Sequence, residues 1–255
     1  MARRSADTDG TFADAWAVAS EVEGWLSEGQ ARMLWDRVRS LDPPATVVEI
    51  GSYRGRSAIV LGSGARPGVS VVAIDPHAGN DRGPTQIRGS AEEGRADHNA
   101  FVTNLDRAGV LDRIRHVDRM SQMAFDDVEG PVDLLYVDGA HRYRPARDDI
   151  AGWGARLAPG GQLLIHDAWN ALGVVGAQLR LLVFGSRFRY LGRVRSMAAY
   201  RREDTTGARR LANTFRQLWT LGYAVRLQLI KVALVLRLRF LARLLGLPKG
   251  DAWPY

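Results

Sequence analysis

Two acidic residues and a pair of glycines stand near the ends of the first two apolar runs of this 255-residue chain. Glu49 lies near the end of the first run, which leads into a turn containing Gly51 and Gly55, and the second run ends at Asp75. Glycine lets a ligand approach backbone that a Cβ would block. A carboxylate after the next strand can accept hydrogen bonds from both hydroxyls of a ribose. The spacing therefore predicts a ribose-containing ligand.

The turn itself, EIGSYRG, excludes the commonest phosphate-binding loops. Ser52 and Tyr53 follow Gly51 where a dinucleotide-binding loop would carry its second glycine, and no loop ends in Gly-Lys-Ser/Thr. A ribose without a pyrophosphate suggests adenosine joined to another group. The nearby acid Glu49 favours a cationic group, such as an ammonium or a sulfonium.

A second set of polar residues follows the fourth and fifth apolar runs. Asp138 ends the fourth run, His141 comes three residues later in DGAH, and Asp167 ends the fifth run in LLIHDAWN. This order predicts a carboxylate and an imidazole at the mouth of a sheet, where His141 can act as a general base. His77 falls on a long loop that could form a lid or contact substrate. No role is assigned to His98 or His116.

These residues need an alternating framework to position them. Apolar strands alternate with helical segments, which is typical of a parallel sheet with helices on both faces. The predicted strands are residues 46–50, 69–74, 113–117, 132–137 and 162–166, with residues 159–161 as the turn before the last of them. Residues 187–192 and 196–202 are predicted to form an antiparallel pair. The predicted class is α/β, a doubly wound and mostly parallel sheet with an antiparallel edge pair and a C-terminal helical tail.

Composition divides the chain into three predicted segments: a disordered start at residues 1–20, one domain at 21–205, and a basic helical tail at 206–255. The absence of cysteine excludes disulfides, thiolate zinc sites and a cysteine nucleophile. The first residues carry two arginines but no apolar segment of a secretory signal, so a cytoplasmic location is expected.

The tail differs from the rest of the chain in charge. Residues 1–175 carry 19 arginines and 25 acidic residues, whereas residues 176–255 carry 16 basic and 3 acidic residues, a net charge of +13. This asymmetry favours an acidic partner, such as a membrane surface or nucleic acid, unless the arginines only keep an apolar tail soluble.

The tail also carries two apolar stripes at helical spacing. The first contains Tyr223, Leu227, Ile230, Leu234, Leu238, Leu241 and Leu245, and the second contains Leu229, Ala233, Leu236 and Phe240. Five cations between the stripes argue against a membrane-spanning helix, since each costs about 2.5–3.5 kcal/mol at the bilayer centre. A peripheral helix at the inner face of the membrane and a helix buried in a homodimer or against the domain remain alternatives.

The stretch VEIGSYRGRSAI resembles the first motif of class I S-adenosylmethionine-dependent methyltransferases. It is most similar to the catechol O-methyltransferase-like branch and to small-molecule O-methyltransferases of natural-product pathways. The resemblance spans residues 47–169, and VDGAHRYRPARDDI is its most specific part. It implies a Rossmann-like fold with S-adenosyl-L-methionine as cofactor.

The resemblance also implies roles for individual residues. Glu49, Gly51, Tyr53 and Ser57 would line the methionine and ribose side of the cofactor, and Asp75 would hold the ribose. Ser52 and Gly55 belong to the same cofactor-binding turn. Ser121 and Gln122, after the third strand, would lie near the adenine.

The same resemblance leaves a metal open. In metal-dependent relatives the positions of Asp138 and Asp167 bind Mg²⁺, and an Asn or Asp beside the second carboxylate completes the set. Ala168 stands at that position here, although Asn170 or His166 could substitute. The resemblance places His141 where the catechol branch carries a basic lysine. A Mg²⁺ site and a metal-free site that relies on His141 therefore remain alternatives.

The function expected from the sequence is methyl transfer to a hydroxyl of a small molecule or saccharide. One alternative is an inactive cofactor-binding module whose tail binds a membrane or a protein partner. The other is an RNA methyltransferase, favoured by the basic tail. DGAHRY after the fourth strand differs from the Asn/Asp-Pro-Pro-aromatic motif of base-amine methylation, and the tail has few aromatic residues for base stacking.

Overall fold

A computed structural model describes residues 10–79 and 89–247 of the chain. Its strands are β1 Ala45–Ile50, β2 Val69–Ile74, β3 Ile114–Val117, β4 Val132–Val137, β5 Leu157–Ile165, β6 Phe188–Val194 and β7 Met197–Arg202. Its helices are α1 Phe12–Ala19, α2 Glu28–Arg39, α3 Arg56–Gly64, α4 Ala91–Arg107, α5 Tyr143–Ala155, α6 Leu172–Gln178, α7 Gly207–Val235 and α8 Arg239–Leu244.

The strands form one mixed sheet in the order β3-β2-β1-β4-β5-β7-β6. The pairs β1–β2, β2–β3 and β4–β5 are parallel, whereas β7 pairs antiparallel with both β5 and β6. The predicted fold class is therefore confirmed, including the antiparallel edge pair. The chain divides into two compact units, residues 1–120 and 121–255.

The first unit is built around α3, against which α1 and α2 pack. Arg56, at the start of α3, donates hydrogen bonds to the carbonyls of Ala19, Ser20, Val22, Gly24 and Leu26. One guanidinium thus satisfies five backbone acceptors in the connection that follows α1. These bonds fix the conformation of that connection, which has no regular secondary structure of its own.

The predicted disorder of residues 1–20 is wrong for α1. Thr11 caps this helix, and its side chain and that of Asp14 form a reciprocal capping box. Ala15 and Ala19 are buried, so the helix has a packed face. Residues 1–9 lie outside the described part of the chain.

The second unit is built around β4, β5 and the antiparallel pair. Between the pairs Val132–Leu157 and Leu134–Gln162 the register shifts, so residues 158–161 bulge out of β5. The predicted turn at 159–161 is this bulge, and the strand begins before it rather than after it. Gly160 has a φ of 83° there, a left-handed conformation that glycine adopts without strain.

The predicted helical tail is confirmed as α7 and α8, and α7 packs on β6. Asn213 accepts a hydrogen bond from the Tyr190 amide and donates one to the Phe188 carbonyl, so a buried side chain attaches the helix to β6. Leu227 and Ile230 of the first predicted stripe are buried. Leu229, Leu236 and Phe240 of the second stripe are exposed.

Candidate active site

The glycine turn after β1 is held by Asp75, the residue predicted to bind a ribose. Its Oδ2 accepts hydrogen bonds from the backbone N–H groups of Ser52 at 2.8 Å and Tyr53 at 2.9 Å. Its Oδ1 accepts from the N–H of His77 at 2.8 Å. A carboxylate has about four acceptor positions, so these three bonds leave Asp75 able to accept another. Its binding of a ribose stays a prediction, but its contact with the turn is now defined.

The turn adopts backbone conformations that its sequence only partly favours. Gly51 and Gly55 have φ values of 81° and 91°, and Tyr53 has a φ of 47° although it is not glycine. A Cβ on Gly55 would lie 2.6 Å from Leu105 Cδ1 and 3.2 Å from Phe101 Cδ2. The left-handed φ of Gly55 and the packing of α4 therefore both favour glycine here, and the contact of Gly55 with a ligand stays a prediction.

Glu49 and Ser57, both predicted to line the cofactor, meet directly. Glu49 is fully buried in β1 and accepts a hydrogen bond from the Ser57 hydroxyl of α3. A buried carboxylate is costly unless it is hydrogen-bonded or paired with a cation. This contact fixes the orientation of the Glu49 carboxyl within the first unit.

Tyr53 belongs to a polar network that the sequence did not predict. Its hydroxyl donates to Glu23 at 3.0 Å, and Arg54 binds both Glu23 and, at 2.9 Å, the buried Asp97 of α4. Burial and the hydrogen bond to Glu23 raise the pKa of Tyr53 to about 12. The network connects the glycine turn to α4 and to the connection after α1.

Three histidines of the first unit pack their rings together. The ring centroids of His77, His98 and His116 lie 5.0–5.2 Å apart, with Phe101 beside them. His77 Nε2 lies 2.8 Å from the Tyr53 carbonyl and His116 Nε2 lies 3.0 Å from the Asp75 carbonyl. Burial lowers the pKa of His116. His77 and His116 thus support the backbone of the turn and of Asp75, roles that the sequence did not reveal.

In the second unit, the residues that follow β4 and β5 converge. Asp138 Oδ1 lies 3.1 Å from His166 Nδ1 and 3.8 Å from His141 Nε2, which in turn lies 3.7 Å from Asp167 Oδ2. We call Asp138, His141, His166 and Asp167 the His–Asp cluster. His166 and Asp167 are buried, whereas the His141 side chain is 35% exposed. The structure therefore brings Asp138, His141 and Asp167 together as predicted and adds His166.

The carboxylates and imidazoles of the His–Asp cluster change each other's proton affinity. Burial opposes the charged form of His166, but the Asp138 carboxylate outweighs it and raises the pKa of His166 to about 9. Burial also opposes the charged form of His141. The carboxylates of Asp138 and Asp167 outweigh that effect, so the pKa of His141 is raised. The two imidazoles hold the pKa of Asp138 well below its usual range, against the effect of burial.

A buried carboxylate on α5 holds the pair predicted to lie near the adenine. Asp149 accepts hydrogen bonds from the Ser121 hydroxyl and, at 2.7 Å, from the Gln122 amide. Trp153 Nε1 donates to the Ser121 carbonyl at 3.1 Å. Burial raises the pKa of Asp149 to about 6. Asp149 lies in the sequence RPARDDI, but a single carboxylate on a helix gives no local signal of this role.

The turn after β5 is held from the tail helix. Asn170 donates to Asp167 Oδ1 at 3.1 Å, and the Asn170 carbonyl accepts from Gln228 at 2.8 Å and Lys231 at 2.7 Å, both on α7. Asp167 has a φ of 49°, an uncommon conformation for a residue other than glycine. The tail therefore positions one carboxylate of the His–Asp cluster.

The His–Asp cluster fits the predicted Mg²⁺ ligands poorly. Among the described residues, the group of side chains whose potential ligand atoms all lie within 4.8 Å of one another is Asp138, His141 and His166. Two of these three donors are imidazole nitrogens, whereas Mg²⁺ is bound through oxygen. At the position beside Asp167, where the metal-dependent branch has an Asn or Asp, Ala168 is fully buried and offers no ligand.

Residues 48–168 match a family described as a methyltransferase domain. The chain is similar to solved structures of an O-methyltransferase from Bacillus cereus with S-adenosylhomocysteine (18% identity, TM-score 0.52, 74% of this chain and 88% of that chain) and of TomG from Streptomyces achromogenes with S-adenosylmethionine (19%, 0.51, 76% and 89%). It is also similar to the methyltransferase PaMTH1 from Podospora anserina (18% identity, TM-score 0.54, 76% of this chain and 88% of that chain).

These structural similarities establish the fold, and the family match covers the glycine turn, Asp75 and the His–Asp cluster. The methyltransferase domain suggested by VEIGSYRGRSAI is thereby confirmed for residues 48–168. The match ends at residue 168, so α7 and α8 lie outside it.

Proposed function

We propose, from the premise that residues 48–168 belong to the class I methyltransferases, that this protein transfers a methyl group from S-adenosylmethionine to a hydroxyl of a small molecule or saccharide. The observation that carries the proposal is the family match across a glycine turn with an acid on each of the first two strands. Two of the similar proteins, that from Bacillus cereus and TomG, are O-methyltransferases, which supports a hydroxyl acceptor.

The first unit has the residues to bind such a cofactor. The turn from Gly51 to Gly55 is held by two backbone hydrogen bonds to Asp75, so its shape is set before any ligand binds. Asp75 retains acceptor capacity for ribose hydroxyls. The buried Glu49 carboxylate favours a cation, and the sulfonium is one. When bound, S-adenosylmethionine supplies an electrophilic methyl group on that sulfonium.

The second unit has the residues to remove the acceptor's proton. As its oxygen becomes methylated, the acceptor hydroxyl must lose one proton, and His141 is the more exposed of the two imidazoles of the His–Asp cluster, with 35% of its side chain exposed. His141 Nε2 lies between Asp138 and Asp167, at 3.8 and 3.7 Å, so two carboxylates stabilise the imidazolium that forms. A positioned base typically contributes about 10²–10⁴-fold to the rate. His166 is 97% buried beside Asp138, so it is less accessible to an acceptor than His141.

Two measurements test the proposed function in order. Calorimetry with S-adenosylhomocysteine tests cofactor binding, with NAD as the comparison ligand. Release of S-adenosylhomocysteine is then measured with a panel of phenols, sugars, glycolipids and RNA. Binding of NAD without S-adenosylhomocysteine would overturn the assignment. Cofactor binding without turnover of any acceptor would instead support the inactive module, and turnover of RNA alone would support an RNA methyltransferase.

A further inference from the structure

Three ring nitrogens of the His–Asp cluster are buried without a hydrogen bond. His166 is 3% exposed, yet its Nε2 makes no hydrogen bond and its Nδ1, 3.1 Å from Asp138 Oδ1, is not aligned for one. Nε2 of His141 is also buried without a hydrogen bond. Buried polar atoms are nearly always hydrogen-bonded, so exceptions call for an explanation. Asp138, His141 and His166 also line one small cavity, together with apolar side chains of β4, α5 and α6.

The donor spacing suits a single cation. Two donors that each bond a cation at about 2.1 Å lie roughly 3.0–3.4 Å apart when the angle between the bonds is 90° to tetrahedral. Asp138 Oδ1 lies 3.1 Å from His166 Nδ1 and 3.8 Å from His141 Nε2. Small side-chain movements would therefore bring all three donors onto one ion.

We propose that Asp138, His141 and His166 bind a divalent transition-metal ion of the Zn²⁺, Fe²⁺ or Co²⁺ type rather than Mg²⁺. Imidazole nitrogen suits these ions, and two histidines with one carboxylate are a common ligand set for them. Given the proposed function, the ion would lower the pKa of a bound acceptor hydroxyl. Only this role, and not the binding of the ion, rests on the proposed function. In the occupied state His141 is a ligand and in the metal-free state it is the base.

Metal binding can be measured without turnover. The full chain is treated with a chelator, desalted, and titrated by calorimetry with Zn²⁺, Co²⁺ or Mg²⁺ alone. We expect one equivalent of Zn²⁺ and of Co²⁺ to bind, with a Co²⁺ absorption spectrum typical of nitrogen ligands, and at least 100-fold weaker binding of Mg²⁺. Absence of Zn²⁺ and Co²⁺ binding, or equally tight Mg²⁺ binding, would overturn the inference.

Variants locate the ion. His166→Gln and His141→Gln should each weaken Zn²⁺ binding by at least about 10-fold, the usual scale for a metal-site defect. The matched control is His98→Gln, which removes a partly exposed histidine of the first unit and should bind Zn²⁺ like the wild type. Unchanged binding in both cluster variants would place the ion elsewhere. If His166→Gln does not fold, the more exposed His141→Gln decides the result. Calorimetry with S-adenosylhomocysteine on the same metal-free sample tests the proposed function separately.

An independent observation concerns the surface of the tail. We call the exposed large apolar side chains of α7, α8 and the turn between them the tail face: Leu211, Phe215, Trp219, Val225, Leu229, Val232, Val235, Leu236, Leu238, Phe240 and Leu244. Trp219 is 88% exposed and Phe215 is 67% exposed. Contiguous exposed apolar patches of this kind mark interaction surfaces.

Charge distinguishes between the possible occupants of the tail face. Residues 207–247 contain eight basic residues and no acidic residue. A second copy of the same face would bring like charges together, which opposes self-association. An anionic lipid surface complements them, at about 1 kcal/mol for each basic residue near the head groups. Exposed tryptophan and phenylalanine suit the membrane–water interface.

The opposite side of α7 is occupied by protein. Asn213 bonds to the backbone of β6, and Gln228 and Lys231 bond to the Asn170 carbonyl. Among the described residues, α7 is the helix that is long and apolar enough to cross a membrane by length and composition. These polar contacts attach α7 to the rest of the second unit. They therefore favour a helix that lies along a membrane surface over one that crosses the membrane.

We infer that the tail face binds an anionic bilayer surface with α7 parallel to it. Lys231 and Gln228 contact the turn that carries Asp167, so the attached helix also positions the His–Asp cluster. Given the proposed function, a lipid-linked saccharide is then the favoured class of acceptor.

Vesicle co-sedimentation tests this inference. The full chain should sediment with phosphatidylglycerol-containing vesicles at low salt, and at least 10-fold less with pure phosphatidylcholine vesicles or at high salt. The double variant Phe215→Ser/Trp219→Ser should lose at least 10-fold in vesicle binding. The control Phe184→Ser removes an exposed aromatic residue outside α7 and should not. No vesicle binding, or a wild-type dimer that the double variant converts to a monomer, would overturn the inference. Salt-resistant insertion would overturn it in favour of a spanning helix.

Discussion

The polar side chains around Asp75 in the first unit and those of the His–Asp cluster in the second are bonded in opposite ways. Asp75 accepts three backbone N–H groups, and His77 and His116 place Nε2 on backbone carbonyls. In the His–Asp cluster, three ring nitrogens of His141 and His166 are buried without hydrogen bonds, compared with one, Nδ1 of His77, among the stacked and tilted histidines of the first unit. The histidines of the first unit support a loop, whereas those of the second face carboxylates.

This difference indicates that the glycine turn is already shaped by its own hydrogen bonds. The His–Asp cluster, in contrast, has nitrogen atoms that can still bind a proton or a ligand. Leaving a buried polar group without a hydrogen bond costs about 1–3 kcal/mol, so such groups persist where function requires them. Substitutions around Asp75 should therefore act mainly on stability and cofactor binding. Substitutions in the His–Asp cluster should act mainly on the reaction.

The largest expected effect is on the rate. His141→Ala should lower kcat by about 10²–10⁴-fold, because the acceptor's proton loses its base or its metal ligand. The dissociation constant of S-adenosylhomocysteine should stay within about twofold, because His141 acts on the acceptor. Steady-state kinetics and calorimetry on the same preparation measure both. Full activity in His141→Ala would show that the His–Asp cluster is structural, and the contrast between the two units would fail.

A smaller effect is expected at Asp75. Asp75→Ala removes the acceptor of three backbone N–H groups, and hydrogen bonds to a charged group contribute about 1.5–3 kcal/mol each. Because Asp75 is partly exposed, we expect a loss of about 3–4 kcal/mol in the free energy of unfolding, with weaker cofactor binding. Asp75→Asn retains one side-chain oxygen and should lose less. Denaturant unfolding of both variants measures this, and a stability equal to wild type in Asp75→Ala would contradict the role of the carboxylate.

The sequence revealed the sheet because its signals are local. Apolar runs of strand length alternate with helical segments, and glycines mark the turn after β1, so the order of elements follows from the chain itself. The capping box of Thr11 and Asp14 is also a local signal, and it favours the helix α1 over the predicted disorder.

The supporting residues could not be predicted because they meet only in the folded chain. His77 follows β2, His116 lies in β3 and His98 lies in α4, and nothing in their spacing reveals that their rings pack together. Asp149 meets Ser121 and Gln122 across 27–28 residues. His166 was noticed as a possible metal ligand, but its orientation toward Asp138 depends on the pairing of β4 with β5.

Asp149 gives a pH-dependent prediction within the second unit. Its pKa rises from 3.8 to about 6 on folding, so the folded state binds the proton more tightly. The resulting stabilisation is fully present below pH 3.8 and is lost as the pH rises through 6. A shift of about two pKa units corresponds to about 3 kcal/mol. Relative to Asp149→Asn, the wild type should lose up to about that amount of unfolding free energy between pH 4 and pH 7.

Asn can accept the hydrogen bonds from Ser121 and Gln122 and carries no charge, so it reproduces the neutral acid. Denaturant unfolding of both proteins across this pH range provides the comparison. If the unfolding free energies of the wild type and Asp149→Asn changed in parallel with pH, burial would not disfavour the charged form of Asp149. Asp149 would then resemble Asp75, and the two units would differ less than the structure indicates.

The smallest expected effect separates backbone strain from packing at the glycine turn. Gly55→Ala places a Cβ at a φ of 91° and 2.6 Å from Leu105 Cδ1. Gly109→Ala is the matched control, since Gly109 has a φ of 68° with no atom within 4 Å of an added Cβ. The left-handed conformation costs roughly 1–2 kcal/mol at either position. Overpacking against Leu105 adds about 1–3 kcal/mol at Gly55 alone. Denaturant unfolding should therefore show a larger loss in Gly55→Ala by that amount. Equal losses would mean that α4 can move away from the turn, and that the turn is less rigid than its hydrogen bonds to Asp75 imply.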